Sequence, residues 1–460
     1  MSAHNHSLLQ RLQALPWYRV QGRLRRCRGS LLISGGLDGL VGLGDVCEVE
    51  VELHNHCECP GSADRASDPL LAEVVGLEED GVLLSPFGEV RKLGLGARVR
   101  IARGYDHLCP GAGWLGRIVD PLGRPLDEGT PLPPGPVPYP IHGVPLPAHR
   151  RRDLGPRLDL GVRALNLFAP CRRGQRLGVF AGSGVGKSTL LSMLARHGAA
   201  DAIVLGLIGE RGRELHGFLR DGLGAEGLRR SVVVVATSDM PAMLRRRAAY
   251  LTITVAEALR DQGLSVLCLI DSVTRFAMAL REIHLAAGEP PASRGYPPGV
   301  FAELPRLLER AGPGEGEGSI TGLFTVLVEG DDLSEPVADA LRATLDGHVV
   351  LDRGIAEGGR FPPVDVLRSL SRSTPECYGE AERPLVERAR RLMRAHADAA
   401  ELIQLGAYKP GSDPLIDEAI RARPALEALL AQGKDERSTI EDDFRRLAAA
   451  LDGPGAVTPA

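Results

Sequence analysis

The sequence predicts a multidomain fold: an N-terminal β-barrel, a central α/β P-loop domain with a largely parallel sheet, and an all-α C-terminal domain. Three observations predict it. The first hundred residues carry short β-type runs separated by glycine turns, the signature of a small barrel. The middle alternates bare apolar runs with helical stretches, as a sheet covered on both faces requires. After Pro375 the β-type runs stop and apolar residues return to helical spacing.

Residues 1–16 come first. Leu8, Leu9, Leu12 and Leu15 keep the three-and-four spacing of one helical face. So short a helix is marginal alone, so it is expected to order against the barrel or a partner. The barrel spans 17–101, with strands expected at 31–34, 46–53, 71–75 and 81–84. Residues 102–149 are dense in proline and glycine and read as an extended connector. The α/β domain spans 150–375, with strands expected at 176–181, 202–208, 231–236, 265–270, 322–328 and 348–351. Leu385, Leu392, Ala399 and Ile403 open the helical domain, 376–460, whose last residues read as a frayed tail.

Composition narrows the class. A chain of 460 residues with 43% hydrophobic and 25% charged residues is an ordinary globular protein of two or three domains. Aromatics at 4% and a net charge of −4 argue against a base-stacking or strongly basic nucleic-acid surface, and no nucleic-acid partner is expected. Eight cysteines without a repeating pattern, no signal peptide and no membrane-length apolar run predict a reduced, cytoplasmic enzyme.

The strongest motif is Ala181-Gly182-Ser183-Gly184-Val185-Gly186-Lys187-Ser188-Thr189, between an apolar strand and a helical run. Glycines let such a loop curl its N–H groups toward phosphate oxygens, and the helix N-terminus adds its positive dipole end. Lys187 suits the β- and γ-phosphates, and the Ser188 hydroxyl suits Mg²⁺. Asp271 ends the apolar run 266–270 and is the matching second metal residue. Glu210 closes another strand and is the candidate for orienting water. Ligands in open α/β sheets sit beyond the carboxyl ends of strands, so Lys187, Glu210 and Asp271 are expected in one crevice. The competing reading makes Glu210 and Arg211 a solvated surface pair.

With these motifs in place the chain resembles the ATP synthase-related family of ring ATPases over roughly residues 18–440. Gly116-Arg-Ile-Val-Asp-Pro-Leu-Gly-Arg-Pro-Leu-Asp127 is similar to that family's connector, and Arg173-Gly-Gln-Arg-Leu-Gly-Val-Phe180 to its lead into the phosphate loop. Gly209-Glu-Arg-Gly-Arg-Glu214, Thr237-Ser-Asp239, Ile270-Asp-Ser-Val-Thr-Arg-Phe-Ala277 and Ser293-Arg-Gly-Tyr-Pro-Pro298 resemble its type III protein-export branch. So do Phe301-Ala-Glu-Leu-Pro-Arg-Leu-Leu-Glu-Arg-Ala-Gly312, Val328-Glu-Gly-Asp-Asp332 and Leu345-Asp-Gly-His-Val-Val-Leu351. Pro170-Cys-Arg-Arg-Gly174 and Gly354-Ile-Ala-Glu-Gly-Gly-Arg-Phe-Pro-Pro363 look flagellar, with injectisome export ATPases as the close alternative.

The resemblance implies roles. Glu210 matches the catalytic glutamate and Arg211 the arginine beside it near the phosphates. Arg372 matches an arginine finger supplied to a neighbouring subunit, a contribution worth about 10³–10⁵ in rate where it operates in trans. Phe361 matches an aromatic that stacks on adenine, the alternative being a core residue beside Pro362 and Pro363; Tyr408 is a second candidate for that pocket. A chain with both glutamate and finger can complete a ring of identical subunits, which favours a homohexamer hydrolysing Mg-ATP at its seams. The implied partners are a regulatory stator-like protein at the N-terminal helix, a central stalk, chaperone–cargo complexes, and an export gate at the inner membrane, where the protein would associate peripherally. Two functions from other classes compete, a hexameric nucleic-acid translocase and a scaffold without hydrolysis.

Other features read more plainly. His54, His56, Cys57 and Cys59 are too crowded for ordinary zinc spacing and read as a solvated loop. Arg19, Arg23, Arg25, Arg26 and Arg28 read as a solvated strand face, with anionic lipid or a neighbouring subunit as the second reading. Glu329, Asp331 and Asp332 either meet a stalk or cap a helix. Cys268 reads as core packing.

Overall fold

The computed structural model describes residues 20–51, 69–90, 93–127, 129–328, 330, 332 and 334–452. The N-terminal helix, Arg19 and the His54–Cys59 cluster lie outside the described residues, as do Glu329 and Asp331. The chain divides into two compact units, 1–106 with 285–289, and 107–284 with 290–460.

In the first unit six antiparallel strands close into a barrel: β1 (Gln21–Arg28), β2 (Leu31–Gly35), β3 (Val46–Val49), β4 (Leu70–Glu78), β5 (Gly81–Pro86) and β6 (Arg98–Ile101). Their order is β1-β2-β5-β4-β3-β6, with β6 returning to β1. The core is filled by Leu24, Leu32, Cys47, Val74, Leu84 and Val99. Closure removes exposed sheet edges. Strand β3 ends at Val49, short of the expected residue 53. Arg23, Arg25, Arg26 and Arg28 are all exposed on β1, the solvated face expected of them.

In the second unit eight strands run across one sheet: β7 (Ile118–Val119), β8 (Arg176–Ala181), β9 (Ala202–Glu210), β10 (Ser231–Thr237), β11 (Ser265–Asp271), β12 (Ser319–Leu327), β13 (Gly347–Leu351) and β14 (Val364–Ser371). Their order is β14-β13-β8-β12-β11-β9-β10-β7, parallel throughout except β14, which is antiparallel to β13. A ninth, two-residue strand, Gly312–Pro313, pairs antiparallel beside β12. Alternate residues of one strand feed opposite cores. Leu177 and Val179 pack on one face and Phe180 on the other, which is why the central strands read as unbroken apolar runs.

Two of the eight strands that run across this sheet were not expected. Residues 118–119 of the connector do not run free but join the sheet edge, where Val233 and Val234 pair with them. Strand β14 was missed because it is an edge strand with exposed Arg368 and Leu370 among buried Val364, Val366 and Ser369, so it shows no continuous apolar run.

The helices that concern the site are α1 (Lys187–His197), α2 (Ala242–Asp261), α3 (Val273–Ala286) and α4 (Pro298–Leu308), and after β13 the short helix Arg353–Glu357. The C-terminal helices are α5 (Glu382–Gln404), α6 (Pro414–Leu430) and α7 (Ile440–Asp452). Their buried residues, among them Leu392, Leu426, Leu430, Phe444 and Leu447, share one core with Leu177, Leu190 and Val366 of the sheet domain. Cys268 is fully buried in the other core, and burial pushes its thiol up to about 12. Among the described residues no helix is long and apolar enough to cross a membrane.

Candidate functional site

Strand β8 ends at Ala181, and the chain turns through Gly182–Gly186 into α1. Gly186 has φ +112°, which a β-carbon would strain, and that β-carbon would also lie 3.6 Å from the Pro363 ring. Gly186 is the N-cap, and no side chain caps the first turn of α1. The leading N–H groups of the helix are therefore available to an anion, with the helix dipole behind them. Val185 is buried in the core and pins the loop from below, whereas Ser183, Gly184, Ser188 and Thr189 are exposed.

Lys187 is buried, and its ammonium lies between two carboxylates, ion-paired to Asp271 and 3.3 Å from Glu210 Oε1. Parallel pairing explains the convergence: Leu207 of β9 is opposite Asp271 of β11, so Glu210 and Asp271 end adjacent strands. Burial alone would lower the Lys187 pKa, but Asp271 and Glu210 together outweigh it and the net shift is upward. Glu210 is also raised, by burial first, with Lys187 opposing and Asp271 adding to it. Lys187, Glu210 and Asp271 are thus brought together, at the carboxyl ends of the strands.

Two residues that sequence reasoning did not single out complete the wall. Thr325 Oγ1 donates to Asp271 Oδ1 at 2.7 Å and orients that carboxylate from the neighbouring strand β12. Arg275, on the first turn of α3, covers Gly209: a β-carbon there would lie 2.9 Å from Arg275 Cβ. Its signal was available, since it stands four residues after Asp271, one helical turn beyond the strand end. Arg353 was missed as well; its Nη2 donates to the Ser183 carbonyl of the loop at 3.0 Å.

The remaining candidates lie apart from this cluster. Arg211 is exposed and pairs with Glu214 at 3.1 Å rather than with Glu210. Phe361, at 47% exposure, is not a core residue; it would lie 3.9 Å from a β-carbon on Gly186, so its ring borders the phosphate loop. Tyr408, in the segment between α5 and α6, donates to Asp417 Oδ1 on α6 at 2.9 Å. Arg372 directly follows β14, where Ser371 pairs with Gly347 at the start of β13. Because β13 runs parallel to β8, that is the end of the sheet opposite the phosphate loop. The eight residues of β14 separate the two ends, roughly 25 Å at about 3.3 Å per residue.

The donor set suits a hard cation. Ser188 contributes an exposed hydroxyl and Asp271 a carboxylate, both oxygen donors of the kind Mg²⁺ takes alongside nucleotide phosphates and water. Among the described residues no cluster of three His, Cys, Asp or Glu side chains could hold a metal by itself.

The ATP synthase alpha/beta family, nucleotide-binding domain, matches residues 161–371, and its beta-barrel domain matches 27–102. The T3SS EscN ATPase C-terminal domain matches 379–449. The chain is 52% identical to the flagellum-specific ATP synthase of Caulobacter vibrioides, covering 97% of this chain and 99% of that protein. It is 43% identical to the type 3 secretion system ATPase of Xanthomonas euvesicatoria, covering 97% of each. The assembled ATPase EscN of the enteropathogenic E. coli type III secretion system is similar at TM-score 0.85 and 37% identity, over 94% of this chain and all of that one. EscN in complex with its central stalk EscO is similar at TM-score 0.82 and 36% identity, with the same coverage. A phosphate loop backed by two strand-end carboxylates, in a chain this similar to its relatives along nearly its whole length, identifies an ATPase of the ATP synthase alpha/beta family, in its branch of flagellum-specific ATP synthases and type III secretion ATPases.

Proposed function

We propose that the chain hydrolyses Mg-ATP in a homohexameric ring that energises or gates export of unfolded flagellar proteins through a type III secretion apparatus. The observation that carries the ring is the opposed placement of Lys187, Glu210 and Asp271 at one end of the sheet and Arg372 at the other. An arginine finger so remote from its own phosphate loop can serve only the site of another copy. The assembled state of EscN supports the oligomer, and its complex with EscO supports a central stalk as partner. The flagellar assignment rests on the higher identity to the Caulobacter protein, 52% against 43% for the Xanthomonas one. The family's wider assembly supplies the other partners: a stator-like protein at residues 1–16, chaperone–cargo complexes and an export gate at the inner membrane.

The residues act as follows. N–H groups of the loop and the first turn of α1 cradle the phosphates, and Lys187 leaves its carboxylates for the β- and γ-phosphates. Glu210 orients the attacking water and accepts its proton. Ser188 and Asp271 would hold Mg²⁺, which would supply positive charge to offset that of the phosphoryl oxygens. Phe361 stacks on adenine, and Tyr408 is the second candidate for that pocket. Arg211 swings from Glu214 toward the phosphates, and a neighbour's Arg372 stabilises the charge on the transferring group.

The test is ATPase rate against protein concentration for the wild type, Glu210→Gln, Arg372→Ala and an equimolar mixture of the two variants. Specific activity rising with concentration, and partial recovery in the mixture, are expected. Activity flat with concentration and a mixture that stays inactive despite mixed assembly would remove the shared site.

A further inference from the structure

Phe361 lies on a loop between the short helix Arg353–Glu357 and β14. Pro362 and Pro363 follow it and have no N–H to donate. The Phe361 carbonyl is tied instead by the backbone N–H of Gln432, at 2.8 Å, from the segment between α6 and α7. The preceding residue is tied to the same region, with Arg360 Nε 2.9 Å from Glu427 Oε2 on α6.

Gln432 is itself immobilised. It is 5% exposed and every polar atom of its amide is used. Its Oε1 accepts from the Arg163 N–H at 2.8 Å, and its Nε2 donates to the carbonyls of Gly161 at 2.9 Å and Glu436 at 2.8 Å. The buried Arg163 side chain adds bonds to the Leu429 carbonyl and ion pairs to Glu436 and Asp443. Buried polar groups this fully satisfied are rigid, because moving one strands several others.

We infer that Gln432 is a positioning residue for the adenine platform: the C-terminal helical segment sets the place of Phe361 through Gln432, assisted by the Glu427–Arg360 pair, and thereby sets nucleotide affinity. This rests on the reading of Phe361 as the adenine-stacking residue. Gln432 touches no nucleotide. It acts through the Phe361 backbone, so the C-terminal helices hold one wall of the nucleotide site while the catalytic carboxylates stand on the sheet.

The test uses the full-length ATPase and four variants: Gln432→Ala, Glu427→Ala, Phe361→Ala and the double variant Gln432→Ala with Phe361→Ala. For each, KM for ATP, kcat, and inhibition by inorganic tripolyphosphate, which lacks adenine, are measured, with a thermal melt to establish folding. Gln432→Ala keeps the backbone N–H but removes the side-chain bonds that fix its place, and is expected to raise KM about fivefold, on the order of 1 kcal/mol in positioning, with kcat and tripolyphosphate inhibition unchanged. Glu427→Ala removes a half-exposed carboxylate, keeps the fold, and is expected to raise KM about twofold, within the range of a partly exposed ion pair. It decides the matter should Gln432→Ala fail to fold. The double variant should match Phe361→Ala, because coupled residues are not additive. A general structural defect would instead weaken tripolyphosphate inhibition in parallel with KM, and that result overturns the inference. If Phe361→Ala raises KM while folded Gln432 and Glu427 variants do not, only the C-terminal tie is wrong. If Phe361→Ala leaves KM unchanged, the platform reading itself falls, and the inference with it.

Discussion

Lys187 Nζ lies 3.3 Å from Glu210 Oε1 while ion-paired to Asp271, so one ammonium is held between two strand-end carboxylates. Both acids are largely buried, and removing their shared cation leaves them unpaired in a poorly solvated site. Lys187→Ala is expected to abolish ATP binding and also to destabilise the nucleotide-free protein by about 3 kcal/mol, the cost of breaking a buried pair. Urea unfolding without nucleotide measures the second effect. A variant as stable as wild type would mean that the acids do not depend on Lys187.

Glu210→Gln should separate binding from chemistry. The amide keeps the shape but cannot accept a proton from water, so kcat is expected to fall by about 10²–10⁴ while fluorescent-nucleotide affinity stays within a few fold. Equal losses in both would assign Glu210 to binding.

The same carboxylate sets a pH dependence. Its pKa is raised above the ordinary 4.5, chiefly by burial, and the proposed role as proton acceptor requires the ionised form. Activity should therefore fall on the acid side at a pH above 4.5, as Glu210 takes up its proton. The limb in kcat/KM should vanish from the residual rate of Glu210→Gln. A limb of the same midpoint in the variant would assign the titration to another group.

Gly209 makes room for Arg275. Its φ is +70°, and a β-carbon would meet Arg275 Cβ and Cγ at 2.9 Å. Gly209→Ala is expected to cost about 1–2 kcal/mol from the left-handed backbone alone, and to re-aim Glu210 next to it. The measurement is the urea midpoint beside kcat, with at least a tenfold fall in kcat expected. Full activity in the variant would show that the Glu210 backbone has slack.

Glu303, on α4, predicts how the second unit responds to acid. It is buried, with Arg246 Nη2 at 2.6 Å, the Tyr250 hydroxyl at 2.7 Å and His284 Nε2 at 3.5 Å. Burial pushes its pKa up, but the His284 hydrogen bond, the Arg246 charge and the Tyr250 hydroxyl outweigh that and hold it at about 2, against an ordinary 4.5. The unfolded chain then binds the proton more readily, so this stabilisation is complete above pH 4.5 and is lost as pH falls toward 2. It amounts to on the order of 3 kcal/mol. Glu303→Gln should be less stable at pH 7 and lose less stability between pH 4.5 and 3, read from urea midpoints. Parallel losses in both proteins would place the acid sensitivity elsewhere.

Much of this site was readable before any fold was known, because its parts are local in the chain. Ala181 to Thr189 places strand, glycine turn and helix start in one stretch, and Glu210 and Asp271 each close an apolar run. A parallel sheet puts all such ends on one side, so their convergence followed from the fold class. Edge strand β14 was not readable, because one face of it is wet and the apolar run is broken.

The sequence by itself determined the residue types of the phosphate site and their order on strand ends, since backbone chemistry and strand polarity act over a few neighbouring residues. Tertiary structure alone decided which residues face one another across long separations. That Thr325 orients Asp271 and that Arg372 stands at the far end of the sheet follow from strand order and direction, which no local pattern encodes. Gln432 is the clearest case: between two helices, its side-chain amide bonds Gly161 and Arg163 while its backbone N–H bonds the Phe361 carbonyl. Its chemistry is visible in the sequence, but its partners exist only where packing brings three distant segments within hydrogen-bond reach.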